Sequence, residues 1–80
     1  MTVRELQAIL AKCNPNDIIV LSSDGEGNGY EMCYTVSTKY NYDSANKEIG
    51  LRQLTPEDIK LGYSDEDVNE GGVACVVLWP

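Results

Sequence analysis

Chemistry in this chain would have to come from carboxylates, tyrosines and cysteines, since its 80 residues include 13 Asp+Glu, 5 Tyr and 3 Cys but no His. Without imidazole there is no Ser-His-Asp or Cys-His nucleophile pair and no histidine base. Zinc sites that use histidine are excluded too, and three cysteines cannot complete a four-cysteine set within one chain. Carboxylate pairs such as Asp24 and Glu26 have the chemistry for acid–base work. Nothing beside them supplies a nucleophile. The expectation is a non-enzymatic protein with no catalytic residue, no metal site and no cofactor.

Asp24-x-Glu26-x-Asn28-Gly29 copies the first half of a calcium-binding EF-hand loop, with glycine at the sharp turn. The twelfth position, however, is Thr35 where a bidentate Glu is required, and the flanks read as strands. A hairpin loop accounts for the same residues. Tyr30 and Tyr34 alternate with Met32 and Val36 and fit the core-facing side of a strand. Tyr40 and Tyr42 fall instead in a polar, turn-rich stretch, Lys39 to Lys47. Exposed tyrosines make good interface anchors because they bring contact area at low entropic cost. Plain packing is the alternative for these two, and stacking on a nucleobase a third. Cys13, Cys33 and Cys75 are odd in number and widely spaced, unlike the dense, even sets of small secreted domains, so free thiols are expected.

The formal charge of −7 is unevenly placed. Residues 57–70 hold Glu57, Asp58, Asp65, Glu66, Asp67 and Glu70 against Lys60 alone. Helix capping accounts for most of them, since acids in first turns face the positive end of the helix dipole. The same segment would also meet a basic protein surface, one that otherwise holds nucleic acid. These six acids, with Tyr40 and Tyr42, are the candidate partner-binding residues. A field this negative repels phosphate and argues against direct binding of DNA, RNA or an anionic membrane.

The elements that must position these side chains follow from local pattern. Thr2 and Glu5 form a capping pair, and Val3, Leu6, Ile9, Leu10 and Cys13 recur at helical spacing until Pro15 ends the run. Ile18 to Leu21 reads as a strand covered on both faces, and Tyr30 to Ser37 as a strand hairpinned to it. Glu48 to Leu54 is a third strand, weakened by Gly50. Thr55-Pro56-Glu57-Asp58 starts a short helix, and Ser64 to Val68 repeats the capping pattern. Val73 to Trp79, seven apolar residues, reads as a central strand buried on both faces. The length suits one α+β domain, residues 1–80: an amphipathic helix packed on a three- to four-stranded, mostly antiparallel sheet, with short helical turns before the last strand. Arg4, Glu5 and Lys12 interrupt any signal-peptide pattern, and no apolar run reaches membrane-spanning length. The expected location is the cytoplasm.

Both ends of the chain resemble the small uncharacterised proteins common in bacteriophages and prophages. The opening residues that carry the likeness are Met1-Thr2-Val3-Arg4-Glu5-Leu6, Pro15-Asn16-Asp17 and Ile18-Ile19-Val20. At the other end they are Leu54-Thr55-Pro56-Glu57-Asp58, Gly62 to Val68 and Val76-Val77-Leu78-Trp79-Pro80; residues 24–53 lie outside it. The resemblance implies an accessory factor acting in a bacterial host cell, one that binds and blocks a host protein such as a defence component, as anti-CRISPR proteins do. The alternative it implies is an oligomeric sponge for a nucleotide immune signal. It assigns no catalytic residue.

Overall fold

A computed structural model describes residues 1–80, which divide into two units, one of residues 1–35 and 78–80 and one of residues 36–77. The class is α+β, but the strands form two separate sheets of two and three strands instead of one. No helix is long and apolar enough to cross a membrane.

In the first unit, helix α1 spans Val3–Leu10. Its cap forms as the sequence suggests: the Glu5 amide donates to Thr2 Oγ1 at 3.2 Å, and the Thr2 hydroxyl donates to the Glu5 carboxylate at 3.2 Å. The chain then tightens, with Lys12 and Cys13 amides donating three residues back to Ile9 and Leu10, before Asn14 and Pro15 turn it away. Strands β1 (Val20–Ser22) and β2 (Tyr30–Met32) pair antiparallel with Leu21 opposite Glu31. Asp24 closes their loop, its carboxylate accepting from the Glu26 and Asn28 amides and from Asn28 Nδ2 at 2.9–3.2 Å. The EF-hand half-motif is thus a self-bonded hairpin loop.

Two expectations fail in this unit. Ile18, Ile19 and Val20 are exposed, not covered on both faces, and Tyr30 and Tyr34, placed on a core face by alternation, are 66% and 76% exposed. The strand expected over Tyr30 to Ser37 is also broken, because the Tyr34 amide leaves the β1–β2 pairing to donate to Trp79 O. No residue of the first unit is buried.

The second unit is built on β4 (Glu48–Leu51) and on all but the ends of β3 (Thr35–Asp43) and β5 (Val73–Trp79), in the order β4-β3-β5. The central strand is therefore β3, and β5 lies at an edge with alternate residues exposed, so only one of its apolar faces is covered. Lys39 to Asp43, expected as loop, belongs to β3; only Ser44 to Lys47 turn, with Lys47 in the left-handed region at φ 56°. Polar residues sit in β3 because their partners come from elsewhere. The side chain of buried Asn41 donates to Asn69 O at 2.8 Å.

Leu51, 1% exposed, is the only buried apolar side chain. It pairs with Tyr40 across β3–β4 and bridges to Val68 on its other side, where the Asn69 amide donates to Leu51 O at 2.9 Å. Helix α2 (Pro56–Lys60) is short and strongly capped, with Thr55 and Asp58 exchanging bonds through side chain and backbone. A single 3₁₀ turn follows at Asp65–Asp67, where Asp67 accepts from the Ser64 amide at 2.8 Å.

Candidate functional site

Register across the β3–β4 hairpin sets out the site. Tyr40 stands opposite Leu51, Tyr42 opposite Ile49 and Asp43 opposite Glu48. Because side chains alternate between faces, Tyr40 and Tyr42 share a face with Ile49 and Leu51. The segment from Tyr63 to Asn69 runs past β4, and a cleft of about 330 Å³ lies between. Tyr40 and Tyr63 line it together with Asp43, Glu48, Glu66 and Asp67. No lysine or arginine lines it.

The two tyrosines are fixed by their neighbours. Tyr40 is half-buried, and packing pushes its phenol above the ordinary 10.0, helped by a hydrogen bond and charge repulsion with Tyr63. Lys39 Nζ lies 5.8 Å from the Tyr40 ring centre and 5.5 Å from that of Tyr63, and pairs with Asp58 Oδ1 at 3.6 Å. Of the four cleft carboxylates, two have structural duties. Asp43 accepts from Asn46 Nδ2 and from the Ala45 and Asn46 amides, and Asp67 caps the 3₁₀ turn. Glu48 and Glu66 have no such bond or ion pair, and Glu48 faces Asp43 directly across the hairpin. Like charges opposed across a pair of strands are destabilising.

Of the candidates read from sequence, the fold brings Tyr40, Glu66 and Asp67 together. Tyr42 is 39% exposed and lines a neighbouring recess with Asn69, Gly72 and Val73. Glu57 and Asp58 border Lys39 and Arg52, while Asp65 and Glu70 border Arg52 on another side. Asp58 is almost fully covered and turned inward, taken up by Thr55 and Lys39. The acidic segment is therefore split between acids beside cations and acids facing a cation-free cleft.

Sequence reasoning missed Asp43, Glu48 and Tyr63 at this site. The hairpin pairing joins the first two, and its signal was the run of turn residues from Ser44 to Lys47 between two strand-forming stretches. Tyr63 comes from a segment with no local clue to where it packs.

No protein-family model matches the chain, and no curated protein or solved structure matches it.

Proposed function

We propose that this is a non-enzymatic binding protein whose acidic, tyrosine-lined cleft receives an arginine or lysine side chain from the basic surface of a partner protein. The observation that carries the reading is the lining itself: four carboxylates and two tyrosines with no cation among them. A guanidinium or ammonium group entering there gains from the carboxylates, while the tyrosine rings, already met by Lys39, offer contact to its apolar stem. The Asp43–Glu48 opposition fits the same reading, as a local cost that a bound cation relieves. In keeping with the phage-protein resemblance, the partner is a bacterial host protein of the cytoplasm, and occupying its basic surface would block its own function, as for a defence component. The rival reading, a sponge for a nucleotide signal, has less to draw on. Lys39 is already paired with Asp58, and Arg52 donates to the Tyr40 and Cys75 carbonyls, so few cations are left for phosphates.

Capture from bacterial lysate on immobilised protein tests the reading, with Glu48→Lys/Glu66→Lys as the comparison. The wild type is expected to retain a partner that raised salt releases, and the double variant to lose it. The variant should also be as stable as the wild type or more so. Removing the like-charge opposition at Glu48 is worth about 0.2–1 kcal/mol in urea unfolding. Equal capture by a folded variant sinks the proposal.

A further inference from the structure

Asparagine followed by glycine is a reactive pair, because glycine has no Cβ to keep its amide nitrogen away from the preceding side chain. The chain has six asparagines, and only Asn28 precedes a glycine. Asn28 is exposed, in the loop that joins β1 to β2. The Gly29 amide donates to no other group, although Gly29 O accepts from the Ser23 amide at 2.9 Å. Its nitrogen is therefore unengaged, and it lies one residue from the Asn28 carboxamide carbon. Groups this close in one chain react without a prior encounter.

Asn46 supplies an internal comparison. It is also exposed; its Nδ2 donates to Asp43 Oδ2 at 2.8 Å and its amide to Asp43 Oδ1 at 3.4 Å. At Asn28 the same two bonds run to Asp24, at 2.9 and 3.2 Å. What differs is the next residue: Lys47 carries a side chain on the attacking residue, where Gly29 has none. Asp24 precedes Gly25 and has the same kind of neighbour. Three donors hold it as a carboxylate, however, and an ionised carboxylate is a poor target for a nucleophile.

We infer that Asn28–Gly29 is a site of spontaneous deamidation, and that its reaction unfastens the β1–β2 loop. The Gly29 nitrogen gives its proton to hydroxide and bonds to Asn28 Cγ. The Cγ–Nδ2 bond breaks, and the amine takes a proton from water and leaves as ammonia, so a cyclic imide remains. Water then adds across one of the two imide C–N bonds. Opening at Cγ gives aspartate; opening at the main-chain carbonyl gives isoaspartate, with the chain running through the former side chain. Either product lacks the Nδ2 that donates to Asp24 and Glu26, at 2.9 and 3.4 Å, and puts a third carboxylate beside those two. Isoaspartate also lengthens the main chain before Gly29, out of step with the Ser23–Gly29 bond. The loop belongs to the first unit, so the reaction is independent of what the acidic cleft of the second unit binds.

Incubating the folded chain in mildly alkaline and mildly acidic buffer tests the inference, with peptide mass mapping and isoaspartate-specific methylation as readouts. Asn28 is expected to convert ahead of Asn46 and the other asparagines, and faster in the alkaline buffer, where hydroxide takes the Gly29 proton. Gly29→Ala should slow the conversion about tenfold or more, the equivalent of about 1.4 kcal/mol in barrier. The atom nearest the added Cβ is Ser23 Oγ, at 3.1 Å, a hydroxyl that can turn aside. In converted protein the Asp24 carboxyl should titrate higher, having lost its strongest donor and gained a charged neighbour. A folded chain that keeps Asn28 for as long as the urea-unfolded chain takes to lose it overturns the inference. Conversion as fast at Asn46, or undiminished in Gly29→Ala, overturns it too, and converted protein with Asp24 unmoved overturns the unfastening. Should the variant fail to fold, the wild-type comparison of Asn28 with Asn46 decides alone.

Discussion

Asp24, Asp43 and Asp58 are held below the ordinary carboxylate value of 3.8, each chiefly by one neighbouring side chain: Asn28, Asn46 and the Thr55 hydroxyl respectively. A carboxylate whose folded pKa is depressed contributes stability that is fully present above its unfolded value. That stability is lost as pH falls through the lower folded value. The urea midpoint should therefore fall as pH drops below about 4. Thr55→Ala separates the terms at Asp58, because Thr55 is both the helix cap and the main donor to that carboxylate. At neutral pH the substitution should cost about 1 kcal/mol through the lost cap, and the fall on acidification should be shallower than in the wild type. An acid limb identical to the wild type's would show that Thr55 does not hold Asp58 down. Asp24 and Asp58 were legible in the sequence, as a loop and a helix start, because each donor lies within four positions of its acceptor. The bond from Asn41 to Asn69 spans 28 positions, and nothing local announces it.

At the scale of elements, Gly50 shows what strand propensity conceals. Read locally it weakens β4. In the fold it lets the 67–69 segment lie against that strand, since an added Cβ would stand 2.7 Å from Asn69 Cβ and 3.1 Å from both Asn69 N and Asp67 O. Two of those three atoms are backbone and cannot turn aside as a side chain would. Gly50→Ala is expected to push Val68 and Asn69 away from Leu51, costing about 1–3 kcal/mol as overpacking does. It should also open the cleft, so capture of the basic partner should weaken in step with the loss of stability. A variant of wild-type stability would mean that the segment yields at no cost. The helix starts, the hairpins and the final turns could be read from caps, prolines and alternation. The role of β3 could not, because its polar residues are satisfied by the distant Asn69 and Asp58. The β5 and Ile18–Leu21 readings erred in the same direction. Apolar residues on two faces do not secure cover on two faces: Val73, Val76 and Leu78 of β5 are exposed, as are Ile18, Ile19 and Val20.

For the molecule as a whole, the charge of −7 makes salt a probe with two distinct responses. Raising ionic strength from about 0.01 to 0.15 M shortens the screening length from about 30 to 8 Å. Within each chain, repulsion among the acids is relieved, so the unfolding midpoint at fixed protein concentration should rise. Between chain and basic partner, attraction is screened, so capture should weaken over the same range. The two responses differ in sign because one is repulsion within the chain and the other attraction to a partner. The acids gathered in residues 57–70 and at the β3–β4 turn supply both.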